Sequence, residues 1–349
     1  MTSIGIEGEA FIVDGRLANA GRTVLGVPVD GLLLNSRMIN GIFDDLNPAT
    51  RGQWAYPDTG VWDAERNAAE YLAAMPRWRA GGLDAITVGI QGGSPQGYSA
   101  SQPWDSGGFA PDGSLRPAFF ARLRRILDEA DRLGLVVIVD YFYQGQEMRL
   151  EDEDAVRRAT IAATRFLLEG GWRNVLVEIA NECNFDWEYT GNRILHAARV
   201  HELIALAQSV QLDGRRLLVS TSFAALDPIM TSAVARRADW FLLHGNGTER
   251  ADRLAEMVAQ VRALPEFAAN PRPVMFNEDD HFDFDVADGH LLTALRVRAS
   301  WGYFDPGSVT VFPPQPTIGN HRDGFQSVPV DWEIGTDTKR AFFAAISTP

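Results

Sequence analysis

The sequence predicts an α/β fold: a single (β/α)8 TIM barrel preceded by a short N-terminal β-hairpin. Three observations carry this. Strand-like apolar segments and helical patterns alternate along all 349 residues, which is the signature of parallel β–α repeats. Eight such repeats close a sheet on itself rather than leaving it open. No linker rich in Pro, Gly or Ser divides the chain, so residues 1–349 read as one domain, with the hairpin over 1–25 and the barrel over 26–349.

The elements follow in order. The opening EAFIVDGR carries an Asp-Gly turn between β-branched runs, which is hairpin chemistry; such a hairpin would plug the N-terminal end of the barrel. Strand segments read at 29–38, 83–91, 135–143, 174–182, 216–223, 240–246, 273–279 and 301–306. Between them run DAERNAAEYLAAMPRWRAGG, PAFFARLRRILDEADRLG, EDAVRRATIAATRFLLEGG and RILHAARVHELIALAQSVQLDG, with apolar residues at helical spacing. Three of these end on Gly just before the next strand, as helix C-caps do. RLEDEDAVRRA places carboxylates at a helix start, where the dipole favours them. Further helices are read around 249–264 and 288–300, with a short one in LDPIMTSAVARRA. The loops at 39–62, 92–117 and 307–330 are long, which in a compact domain points to function. They hold Asp44, Asp45, Tyr98, Trp54, Trp62 and Trp104, and Trp187 lies in a further loop on that face.

Composition narrows the chemistry. The net charge of −14 argues against nucleic acid and anionic membrane surfaces; a neutral small molecule fits best. No run approaches the ~20 apolar residues of a membrane span. The start MTSIGIEGEAFIVDGR has neither a basic stretch nor an apolar core, so no signal peptide is read there. Cys183 is the single cysteine, which excludes an intrachain disulfide and a cysteine-based zinc site. A reducing, cytoplasmic setting is expected. Of 32 basic residues only Lys339 is a lysine. It falls in the last helix, away from any strand end, which argues against Schiff-base and pyridoxal-phosphate chemistry. No cofactor is expected, and oligomeric state is open.

Two segments carry the chemistry. VLVEIANE (175–182) and PVMFNEDD (273–280) are buried-strand runs that reach Asn-Glu. Glu182 therefore ends the fourth strand and Glu278 the seventh, on the face where barrels bind ligands. Two carboxylates on one barrel mouth are what glycoside hydrolysis needs. This pattern resembles clan A glycoside hydrolases, retaining enzymes on a (β/α)8 barrel, over about residue 29 to the end; FIVDGR also resembles the lead-in of such barrels. The resemblance implies that Glu182 is the acid/base, Glu278 the nucleophile, and Asn181 a ligand of the sugar 2-OH.

Other strand ends supply candidate substrate contacts. Arg37 offers a planar fork to Glu278, or a structural ion pair to Asp44 or Asp45. His244 in LLHGN stands near the nucleophile by the same resemblance, or is a core histidine satisfied by a backbone carbonyl. Trp301 offers a ring on which a sugar face stacks, or barrel packing. Gln91, Tyr141 and Tyr143 offer donors and acceptors at the ends of strands 2 and 3, or fill the barrel top. In the acidic stretch after Glu278, Asp280 or His281 would bind a substrate hydroxyl, and Asp283 and Asp285 would cap the next helix. Alternation of side chains along a strand argues against a metal site there, and none is expected. Two alternatives stay open: a catalytically inactive carbohydrate-binding barrel, and a metal-assisted hydrolase. The latter would want His-x-His on strand 1, which ends instead on Asn35-Ser36-Arg37.

Overall fold

A computed structural model describes residues 1–99, 101–185, 191–307 and 323–347. Trp187 and most of the 307–330 loop lie outside the described residues.

The chain opens with an antiparallel sheet of β1 (Ile4–Glu7), β2 (Ala10–Val13) and β3 (Arg16–Leu17). Asp14 and Gly15 join β2 to β3 with φ of 51° and 74°, the paired left-handed residues of a type I′ hairpin turn. A second hairpin, β4 (Thr23–Val24) and β5 (Val27–Pro28), turns through Leu25 and Gly26 at 46° and 82°. The hairpin region thus runs a few residues past the expected boundary at 25.

The eight expected strands are all present. They are β6 (Leu34–Arg37), β7 (Ala85–Gly89), β8 (Val136–Phe142), β9 (Val175–Ala180), a fifth split into β10 (Leu218–Ser220) and β11 (Ser222–Phe223), β12 (Phe241–His244), β13 (Val274–Glu278) and β14 (Ala299–Tyr303). All pair in parallel, in the order β10-β9-β8-β7-β6-β14-β13-β12-β11. The split strand closes the ring: β10 bonds β9, and β11, one residue later, bonds β12. Helices α1 (Ala64–Ala80), α2 (Pro117–Leu133), α3 (Glu153–Glu169), α4 (His201–Ser209), α5 (Ser232–Ala235), α6 (Asp252–Arg262), α7 (Pro265–Ala269), α8 (His290–Arg296) and α9 (Asp337–Ile346) alternate with the strands.

Local chemistry sets the helix ends. Asp63 and Asp152 accept backbone N–H bonds at the starts of α1 and α3, each such cap stabilising by ~1 kcal/mol. Gly134 ends α2 at φ 74°. The α4 helix is shorter than the 193–214 pattern. Its C-terminal part is taken by a hairpin in which Leu212 and Arg215 exchange hydrogen bonds around Asp213 and Gly214, both left-handed. Of the two expected caps of α8, Asp283 accepts the His290 N–H, whereas Asp285 makes no such bond among the described residues; Gly289 holds the N-cap position.

The hydrophobic material forms two layers. An inner plug at the barrel bottom joins Phe11 and Ala18 from the N-terminal sheet to Leu33, Val136, Ile138, Leu176, Trp240, Leu242 and Met275. Each such buried side chain stabilises by roughly 1.5–3 kcal/mol, so the hairpin does seal the N-terminal end. The outer layer packs strands against helices. The upper barrel interior is polar instead: Asn35, Arg37, Thr87, Asp140, Glu178, His244 and Asn277 are all fully buried.

Candidate active site

The two glutamates meet at the C-terminal mouth. Glu182 follows β9 with φ 46°, a left-handed conformation unusual for a non-glycine residue. This turn ends the strand and aims the carboxyl across the mouth. Its N–H donates to Ser222 Oγ at 2.8 Å, which fixes the turn to the fifth strand. Glu278 ends β13. The register of β12 on β13 slips there: Leu243 faces Phe276, but His244 faces Glu278. Because of that bulge, both Asn277 and Glu278 reach the barrel axis. Asn277 Nδ2 donates to Glu178 Oε2 at 2.9 Å.

One carboxylate oxygen from each of Glu182 and Glu278, with one His244 nitrogen, lie within 4.8 Å of one another. His244 Nδ1 stands 2.9 Å from Glu182 Oε1 and 3.4 Å from Glu278 Oε2. Arg37 Nε lies 2.7 Å from Glu278 Oε2, and Arg37 Nη2 donates to Asn181 Oδ1 at 2.7 Å. The guanidinium also faces Asp140 at 3.5 Å and Glu178 at 3.8 Å. The ion pair with Asp44 or Asp45 weighed for Arg37 is not formed: Asp44 pairs Arg51, and Asp45 accepts from Thr50 and Trp54.

The electrostatics separate the two acids. Burial pushes Glu182 up to about 7; Arg37 works against that, and the charge of Asp280 adds to it. Burial also raises Glu278, but Arg37 and His244 both favour its ionised form. Burial lowers His244. Asp140 is raised well above the usual carboxylate range by burial and then by Glu178. Arg37, in direct contact, favours the ionised form of Glu278, while burial favours the protonated form of Glu182.

A cavity of about 410 Å³ opens over this pair. Asn181, Tyr143 and Asp280 line it together with both glutamates. Gln91 is buried behind it and holds the loop by accepting the Tyr143 N–H at 3.0 Å. Residues not singled out as contacts also face the cavity: Asn246, whose Nδ2 donates to Glu278 Oε1 at 3.1 Å, Tyr98, whose hydroxyl donates to Asp280 Oδ2 at 2.6 Å, and Gln326. Asn246 carried a usable signal, lying two residues past His244 on a strand end. Gln144, which accepts from Asn181 Nδ2 at 3.0 Å, carried none.

Besides Gln91, Arg37 and His244, three expected contacts lie outside the cavity lining. Trp301 is fully buried on the outer side of β14, packed against Phe284 and Phe342, with Nε1 donating to Asp279 Oδ2 at 2.8 Å. It does not floor the cavity. Tyr141 faces α3 and bonds Thr164. His281 turns away from the cavity. Its Nδ1 meets Asp279 Oδ1 at 2.5 Å, its Nε2 meets the Thr248 carbonyl at 2.8 Å, and its ring stacks on His290 at 3.5 Å. Both nitrogens face acceptors, and the His281 pKa is raised: Asp279, by hydrogen bond and charge, outweighs burial. Asp279, Asp280 and His281 each bring a donor atom within 4.8 Å, but Asp279 and His281 are joined to each other, and Asp280 to Tyr98. Trp54, Trp62 and Trp104 are buried with Phe43 and Tyr56 in the cores of their loops, not offered to the mouth. Lys339 is buried in α9 and bonds the carbonyls of Asp331 and Glu333.

No family model and no curated protein matches the chain. Solved structures do. A GH5-4 broad specificity endoglucanase from Clostridium acetobutylicum aligns at TM-score 0.55 and 11% identity, over 91% of this chain and 97% of that one. A glycoside hydrolase family 5 mannosidase from Rhizomucor miehei aligns at 0.53 and 12%, over 99% and 96%. A GH5-4 broad specificity endoglucanase from Bacteroides salanitronis aligns at 0.52 and 12%, over 91% and 92%. At these identities the likeness establishes the barrel fold.

Proposed function

We propose that this chain is a retaining glycoside hydrolase for neutral glycosides or short oligosaccharides. The observation that carries the reading is the pair Glu182–Glu278, with carboxylate oxygens within 4.8 Å at the barrel mouth. Retention uses carboxyls ~5–5.5 Å apart; inversion needs room for a water between them, ~6.5–9.5 Å. The similar solved structures, by their own descriptions endoglucanases and a mannosidase, support the same class.

Each group then has a task. Ionised Glu278, held by Arg37 and Asn246, attacks the anomeric carbon. Glu182 gives its proton to the departing oxygen, then takes one from the water that displaces Glu278. Asn181, pinned between Arg37 and Gln144, presents its side chain to the sugar beside the reacting carbon. The cavity lining holds three carboxylates, Glu182, Glu278 and Asp280, and among its described residues no Lys or Arg. That lining disfavours uronides and suits an uncharged sugar.

Aryl glycosides with good and poor leaving groups test the reading. Glu278→Gln is expected to abolish turnover of all of them. Glu182→Gln should spare the first step with dinitrophenyl leaving groups, which need no proton, and azide should accelerate the second step in Glu182→Ala. Binding of sugar by a wild type that turns over no glycoside would favour the inactive-barrel alternative. Equal loss in both variants on every substrate, with no rescue, would overturn the roles.

A further inference from the structure

The buried polar atoms of the barrel interior without a hydrogen-bond partner among the described residues include His244 Nε2, Glu178 Oε1 and Asn277 Oδ1. The first two lie 3.9 Å apart on side chains with no exposure. An unsatisfied buried polar group costs ~1–3 kcal/mol, so two facing each other need an account. Glu178 stands on β9, four residues before Glu182, and points into the barrel. The opposite nitrogen of His244 faces Glu182 and Glu278. The imidazole therefore spans from Glu178 to the catalytic pair.

We propose that Glu178 is a positioning residue whose carboxylate holds the Nε2–H of His244, fixes the ring tautomer, and leaves Nδ1 free to exchange a proton with Glu182. Its part in turnover rests on the glycosidase reading. In the second step, water forms its bond to the anomeric carbon, the bond to Glu278 breaks, and Glu182 takes the water proton. That proton passes to Nδ1, giving an imidazolium between the Glu178 and Glu182 carboxylates. It returns to Glu182 before the next substrate, so the transfer balances.

The surroundings decide whether the ring can carry that charge. Burial opposes it, as does Arg37 from β6; Glu278 and the Asn277 side chain from β13 and Glu178 from β9 favour it. Asp140 from β8, the Tyr143 hydroxyl, the Cys183 thiol, Asp280 and the Tyr98 hydroxyl are the further titratable groups around Glu178, Arg37 and the pair. Removing the Glu178 charge leaves burial and Arg37 opposed by Glu278 and the Asn277 side chain. The arrangement has the logic of a histidine oriented by a buried carboxylate, with a glutamate as the proton-exchanging partner.

The test is ¹⁵N NMR of the ring nitrogens in protein labelled at its six histidines, with His244 assigned by its loss in His244→Asn. Wild type should show the Nε2–H tautomer at neutral pH. In Glu178→Gln the imidazolium pKa should fall by at least about one unit, as loss of one close charge implies. Glu178→Asp, which keeps the charge, should recover most of that. On a dinitrophenyl glycoside, Glu178→Gln should lower the second step roughly tenfold and leave the first-step burst intact. An Nδ1–H ring in the wild type overturns the proposal even if the Gln variant fails to fold, and so does a Gln variant that titrates like wild type. An inactive wild type whose His244 responds to Glu178→Gln would instead sink the glycosidase reading and keep Glu178 in its role.

Discussion

Replacing Arg37 separates its charge from its shape. The guanidinium is fully buried and touches Glu278 at 2.7 Å, with Asp140 and Glu178 next in reach. At an effective dielectric near 20, a contact of this length is worth about 4–6 kcal/mol, or about 3–4 pKa units at 1.36 kcal/mol each. The guanidinium is shared among three carboxylates, so the expected rise for Glu278 in Arg37→Met is nearer ~1–3 units. Arg37 lowers Glu182 as well, so both carboxyls rise when it is removed, Glu278 the more because it is in direct contact. The pH window in which Glu278 is ionised and Glu182 protonated should narrow, and with it the bell of kcat/KM, which should drop by ~10–100-fold. Stability should fall by up to ~3–5 kcal/mol, because buried carboxylates lose their cation. Arg37→Lys keeps the charge but cannot span Glu278, Asn181 and Asp140 together. Its acid limb should move by less than about one unit while kcat falls. The assay is kcat/KM against pH on a nitrophenyl glycoside for wild type and both variants, with melting curves alongside. A folded Arg37→Met with an unmoved acid limb would refute the claim that Arg37 keeps the nucleophile charged.

Three further outcomes are expected. Asp280→Asn removes a charge that raises Glu182, so the basic limb should shift to lower pH, by less than about one unit; an upward or absent shift in the pH profile would contradict this. Asn246→Ala deletes a charge-assisted bond to Glu278 worth ~1.5–3 kcal/mol, and kcat should fall about 10–100-fold with the fold intact by circular dichroism; near-normal kcat would remove Asn246 from the site. Trp301→Phe should lower stability by ~1–3 kcal/mol through the lost bond to buried Asp279 and leave KM within about twofold, since Trp301 does not line the cavity and its replacement removes no substrate contact; a large rise in KM without a drop in melting temperature would return Trp301 to the sugar.

The fold was legible because strand and helix periodicities are local. Apolar β-branched runs, glycine C-caps and the Asp14-Gly15 turn each act within a few residues, and together they placed all eight strands and put Asn181-Glu182 and Glu278 at strand ends. The direction of side chains near those ends was not local. Tyr141 and Tyr143 are two apart and share a face by alternation, yet one bonds α3 and the other lines the cavity, because β8 stops at Phe142. Trp301 reads from the sequence as the start of a strand, but it lies in the middle of β14, where Asp279, Phe284 and Phe342 claim its ring.

Glu178 is the reverse case. A carboxylate inside the apolar run VLVEIANE signals a purpose, since charged residues are almost never fully buried unpaired, but only the tertiary structure supplies Arg37, Asn277 and His244 as its neighbours. The sequence by itself determined the order of the strands and which carboxylates reach the mouth. The left-handed turn at Glu182 and the register slip between His244 and Glu278 were decided in three dimensions. Both depend on hydrogen bonds to strands about 30–40 residues away in the chain, and no local propensity encodes a partner at that distance.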